Sequence, residues 1–176
     1  NERDRAVGVV TDWNAVNSLD REMVVEAVRV ETHGESQTGR HPQEIINSTL
    51  LERCDFLIAI FHSKLGTPTK KEDSGTVDEI KTFAEAKGDE MVKLFFSDQK
   101  LPDGHDRAER ARLDKFKKEM QNQSYYISFS DENDFAKKLR RQLDIVMNKI
   151  DKSEERRELW SKRAVLSELG TLTVEE

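Results

Sequence analysis

Apolar residues recur at helical spacing from the start of the chain. Ala6, Val9, Trp13 and Val16 predict a first helix over roughly residues 3–17. The rhythm then shortens. Val24, Val28 and Val30 alternate with other residues across 23–30, and that segment reads as a strand. A polar, glycine-bearing loop follows over 33–40. Pro42 suits a first helical position, and Ile45, Ile46 and Leu50 continue a short helix. Residues 55–61 (DFLIAIF) are nearly all apolar, as expected of an interior parallel strand covered on both faces. The next helix runs from about Thr76 to Lys87 and stops at Gly88. Residues 91–96 form another mostly apolar strand, interrupted only by Lys93. Leu113, Phe116 and Met120 mark a surface helix with a strongly charged outer side. Tyr125, Ile127 and Phe129 alternate as a strand. Phe135, Leu139, Leu143, Val146 and Ile150 form a stripe on the last core helix, with Ser130 or Asp131 available as its cap.

The resulting order is α-β-α-β-α-β-α-β-α. Such alternation specifies an α/β fold, a parallel sheet with helices on both faces. A doubly wound sheet normally starts with a central strand, and none stands before the first helix, so that strand is expected upstream of Asn1. Residues 1–150 read as one α/β domain. Residues 151–176 read as a charged helical extension or a linker to further domains of a longer protein.

Composition narrows the picture. The chain has 176 residues, enough for one domain with a real core, and 36% of them are charged. The net charge of −6 argues against general nucleic-acid binding, which needs a basic excess. No apolar run approaches a membrane span. The single Cys54 excludes an internal disulfide and fits a reducing, cytoplasmic setting. It precedes a buried strand, where inert burial is the expected state.

The chemistry concentrates where the strand at 55–61 ends and the helix near Thr76 begins. In an open α/β sheet, ligands bind outside the carboxyl ends of the strands. On that helix, Glu79 lies about 40° from Phe83 and borders the buried stripe, whereas Asp78 is expected to face solvent. A carboxylate in a first turn is favoured by the helix dipole and can act as a nucleophile or stabilise a developing cation. Thr76-Val77-Asp78-Glu79 also reads as a capping box, which gives Glu79 a purely structural alternative. The loop from His62 through Thr67 and Thr69 can hold a ribose or phosphate through hydroxyls and backbone amides, or simply connect strand to helix. No Walker pattern and no G-x-G-x-x-G occurs. His33, His41 and Glu35 share a loop but lack the convergent spacing of a metal site. Lys137, Lys138, Arg140 and Arg141 read as the solvated side of the last core helix. No cofactor and no metal is expected.

The run Arg40-His41-Pro42-Gln43-Glu44-Ile45-Ile46, then CDFLIAIFHSKLGTPT, then DSGTVDEI, resembles a TIR-like domain found at the N-termini of large STAND-type signalling ATPases. That domain is related to nucleoside 2-deoxyribosyltransferases and to TIR domains. The resemblance covers roughly residues 2–145 and implies a flavodoxin-like parallel sheet. It implies that Glu79 is the catalytic carboxylate, attacking the sugar C1′ or cleaving the nicotinamide–ribose bond. Ser74, Gly75 and Thr76 would then shape the pocket at the helix start, and His62, Thr67 and Thr69 would contact ribose or phosphate. NAD enters as a substrate, in the setting of antiphage defence. Cleaving an N-glycosidic bond builds positive charge on the sugar, and nicotinamide leaves as a neutral base, so one carboxylate can suffice. The chain departs from the pattern in lacking the first strand and in carrying His62-Ser63 where a small residue or an aromatic is common.

The rival from another class is a non-catalytic assembly domain that self-associates or docks other domains of the same protein. A third reading is a nucleotide-sensing module that binds without turnover.

Overall fold

The computed structural model describes residues 1–28, 51–65, 74–100, 106–121 and 126–151. The expected loop at 33–40, the short helix after Pro42 and the charged extension beyond 151 lie outside the described residues. The elements are α1 (Glu2–Arg21), β1 (Leu57–Phe61), α2 (Gly75–Lys87), β2 (Val92–Ser97), α3 (Arg107–Met120), β3 (Tyr126–Phe129) and α4 (Glu132–Asp151). The chain divides into two compact units, Asn1–Arg140 and Arg141–Glu176, so the division falls within α4.

The three strands form one parallel sheet in the order β1-β2-β3, an α/β flavodoxin-like arrangement. Leu57 pairs with Val92 and Phe61 with Phe96, and Phe96 pairs in turn with Ser128. All six residues of β2 are buried, because both faces are covered. On one face, Val92, Leu94 and Phe96 share a core with Val77, Ile80 and Phe83 of α2 and Leu113 and Phe116 of α3. On the other face, Phe95 meets Phe135 of α4 edge-on, with ring centroids 5.1 Å apart. Lys93, the charged interruption in β2, is buried and donates from Nζ to the Glu90 carbonyl at 2.7 Å. β1 was expected inside the sheet. Among the described strands it is an edge, and Leu57, Ile58 and Ile60 are accordingly only half-buried.

The strand expected over 23–30 is not present in its described part, residues 23–28. The alternation is real, but Met23 and Val25 face inward while Val24 and Val28 are exposed. The backbone of Val25 is satisfied by a side chain instead of a neighbouring strand. Val25 N–H donates to Asn14 Oδ1 at 2.9 Å, and Asn14 Nδ2 donates to the Val25 carbonyl at 2.8 Å. One amide on α1 thereby does the work of a ladder partner.

Asp131 caps α4, as the sequence allowed: its Oδ1 accepts from the N–H groups of Asn133 and Asp134, both at 2.9 Å. The Asp134 N–H bond, followed by the Ser130 hydroxyl, holds the Asp131 carboxyl below its ordinary value of 3.8. Asp134 is lowered as well, first by Lys138 and then by the Ser130 N–H. Carboxyls lowered on folding contribute stability above their ordinary range and lose it as pH falls through their folded values. The resistance of the protein to urea should therefore drop below about pH 4. Asp131→Asn keeps a capping acceptor but does not titrate, so its urea midpoint should fall less between pH 6 and pH 3 than that of the wild type. Identical pH profiles would contradict this assignment.

Candidate functional site

The parallel topology sets the geography. Each crossover helix leaves a strand at its carboxyl end and returns to the amino end of the next. The N-termini of α2 and α3 therefore both stand at the carboxyl edge of the sheet.

α2 begins there because Ser74 caps it. Ser74 is fully buried, its Oγ accepts from the Val77 N–H at 3.1 Å, and its carbonyl accepts from the Asp78 N–H. This overturns the capping box read from Thr76 and Glu79. Thr76 is already inside the helix, and three residues beyond the true cap stands Val77, which has no group to return a bond. The helix ends at Gly88, whose φ of 97° needs a residue without Cβ. Ser74→Ala should cost about 1–2 kcal/mol, since it strands a buried N–H. A shift of the urea midpoint measures it, and an unchanged midpoint would show that the cap is dispensable.

Glu79 is half-buried and sits in the second turn of α2 by this cap. Gly75, Glu79 and Phe83 form one row at a spacing of four, and both neighbours of Glu79 in that row are buried. Helical side chains lean toward the N-terminus, so Glu79 leans over Gly75, which has no side chain. Asp78, expected in solvent, is half-buried too. Thr76 is half-buried and Gly75 buried at the helix start. His62 directly follows β1 and is half-buried, and its Nδ1 is buried with no hydrogen-bond partner among the described residues. Thr67 and Thr69 lie outside the described residues.

The sequence reading missed Glu109. Asp106 caps α3, with Oδ1 accepting from Ala108 and Glu109, and Glu109 lies in the first turn. At 100° per residue it stands about 40° from Leu113 and about 20° from Phe116, in the register of the buried stripe. Its Oε1 pairs with Arg112, while its Oε2 is buried with no hydrogen-bond partner among the described residues. The signal was present as a carboxylate in an apolar register, hidden by the many charges of this helix.

Two other polar groups near the strands have structural explanations. Lys117 donates to Asp98 at 2.8 Å. Burial pulls the Lys117 ammonium down, but its bond to Asp98 and the charge of Asp98 help outweigh it, and the net shift is upward. Cys54 is half-buried and not fully buried, and burial, with Asp55 adding to the effect, pushes its thiol up. Among the described residues no group of three or more His, Cys, Asp or Glu could hold a metal, and no helix is long and apolar enough to cross a membrane.

The fold is an α/β domain with half-buried polar groups at the end of β1 and at the starts of α2 and α3, on the carboxyl side of a parallel sheet. The chain belongs to the family described as a domain of unknown function, DUF4062, whose model matches residues 2–144. No curated protein and no solved structure gives a match.

Proposed function

We propose that the protein cleaves the N-glycosidic bond of NAD or a related nucleotide, as a TIR-like effector in bacterial immune signalling. The observation that carries this reading is Glu79. It is a carboxylate in the second turn of α2, whose start Ser74 caps, half-buried in a row of buried residues at the carboxyl edge of the sheet. The C1′–N bond breaks with its electron pair passing to the base, and the cationic nicotinamide ring leaves neutral. Glu79 stabilises the positive sugar or bonds to C1′. Water then adds at C1′ and releases its proton to solvent. Gly75 and Thr76 shape the pocket floor, Ser74 holds the helix start, and His62, Thr67 and Thr69 contact the sugar or phosphate. The test is to incubate the full-length protein with NAD and a panel of nucleosides and to separate the products by chromatography. Free base from NAD supports the reading, and intact substrates throughout contradict it.

The assembly reading has an observation of its own. Val16 and Leu19 on α1 are 67% and 89% exposed, more than isolated folding requires of a helix whose Trp13 is fully buried. Under that reading, Leu19→Asp would change the oligomeric state of the full-length protein without touching any turnover.

A further inference from the structure

Among the described residues, five large apolar side chains are exposed: Val16, Leu19, Val24, Val28 and Ile145. Three of them stand in charged helical rows, and the two rows have opposite sign. On α1, Asp12, Val16 and Asp20 are spaced by four, which keeps successive members within about 40° of each other. Leu19 lies within about 60° of Val16, and all four residues are exposed. On α4, Lys137, Arg141, Ile145 and Lys149 share the same spacing, and all are exposed. Asp144, beside that row, is half-buried. The α1 row reads acid, apolar, acid about Val16. The α4 row reads base, apolar, base about Ile145. Neither belongs to the buried side of its helix, which is Val9, Val10 and Trp13 on α1 and Leu139, Leu143, Val146 and Met147 on α4.

We infer that α1 of one copy of the chain docks on α4 of a second copy. Val16 and Leu19 pack on Ile145, and Asp12 and Asp20 pair with Arg141 and Lys149. The inference rests on the assembly reading given above and names its partner. Rows at a spacing of four are the ridges that interdigitate in the commonest helix packing. Both rows have the same spacing, so apolar meets apolar and each end charge meets its opposite, whichever way the helices run. Pairing like with like fails. Two α1 rows set carboxylate against carboxylate, two α4 rows set cation against cation, and such contacts cost binding. The chain carries both halves of a complementary contact, which singles out another copy of itself as the occupant. Three apolar side chains are a small anchor, so the contact is weak between separate copies and strengthens when copies are held together.

The test is sedimentation velocity of the full-length protein over a range of concentrations, with two charge-reversed variants. One carries Asp12→Lys and Asp20→Lys. The other carries Arg141→Glu and Lys149→Glu. Each variant alone sets like charges across the contact and should associate at least about tenfold more weakly than the wild type. An equimolar mixture of the two should associate as the wild type does, because the reversed α1 of one meets the reversed α4 of the other. Recovery on mixing also shows that both variants are folded. Failure to recover on mixing overturns the inference. Association of each variant alone at wild-type strength overturns it too, and leaves self-association to another surface. A wild type that stays monomeric at every concentration overturns the inference and self-association together.

Discussion

Glu79→Gln should lower base release by about a thousandfold or more while leaving the fold intact. The amide keeps the size of the side chain and removes its negative charge. In a water-poor site a single preorganised charge facing the transition state is worth several kcal/mol, hence roughly three orders of magnitude in rate. Folding should hardly change, because the helix start depends on Ser74 and its bond to Val77. Glu85→Gln, on the exposed side of the same helix, makes the same chemical change away from the site and should match the wild type. Melting temperatures measured in parallel separate loss of chemistry from loss of fold. Equal rates for wild type and Glu79→Gln would remove the glutamate from the mechanism.

The largest effect on stability is expected at Phe96. Its ring stacks on Phe61 and on Tyr126, each at 4.9 Å, and neighbours Phe116. It thereby ties all three strands to α3 just beneath the carboxyl edge. Phe96→Ala removes a ring that is 1% exposed and should cost about 3–5 kcal/mol. That is a large share of the roughly 5–15 kcal/mol by which a domain is stable. Phe96→Leu fills more of the space and should cost distinctly less. Urea unfolding of the two variants checks the order. A loss below about 1 kcal/mol for Phe96→Ala would mean that the aromatic cluster is loosely packed.

What the sequence made legible follows from where a single interaction decides the outcome. β2 reads clearly because burial on both faces leaves almost nothing but apolar residues. α4 reads clearly because Phe135, Leu139, Leu143 and Val146 recur every three or four residues over three turns, and all are buried. The segment at 23–28 was misread for an identifiable reason. Alternation specifies extended backbone, but the partner of that backbone is a tertiary fact, and here it is the Asn14 side chain. The start of α2 was legible to within two residues. Ser74 and Thr76 both qualify as caps, and only the buried environment of Ser74 decides between them. Glu79 was singled out because one carboxylate borders a clean apolar stripe, and the structure shows it half-buried in one row with Gly75 and Phe83. Glu109 escaped because the exposed face of α3 is crowded with charges, although its register with Leu113 and Phe116 was already written in the chain.

The central claim is that Glu79 acts on the sugar in the reaction and not in holding ligand or fold. The most direct test compares NAD binding, by calorimetry, with nicotinamide release, by chromatography, for the full-length wild-type and Glu79→Gln proteins. The account predicts similar dissociation constants for the two proteins and nicotinamide release from the wild type alone. Nicotinamide released at the same rate by both proteins, or NAD bound by both and cleaved by neither, would contradict it.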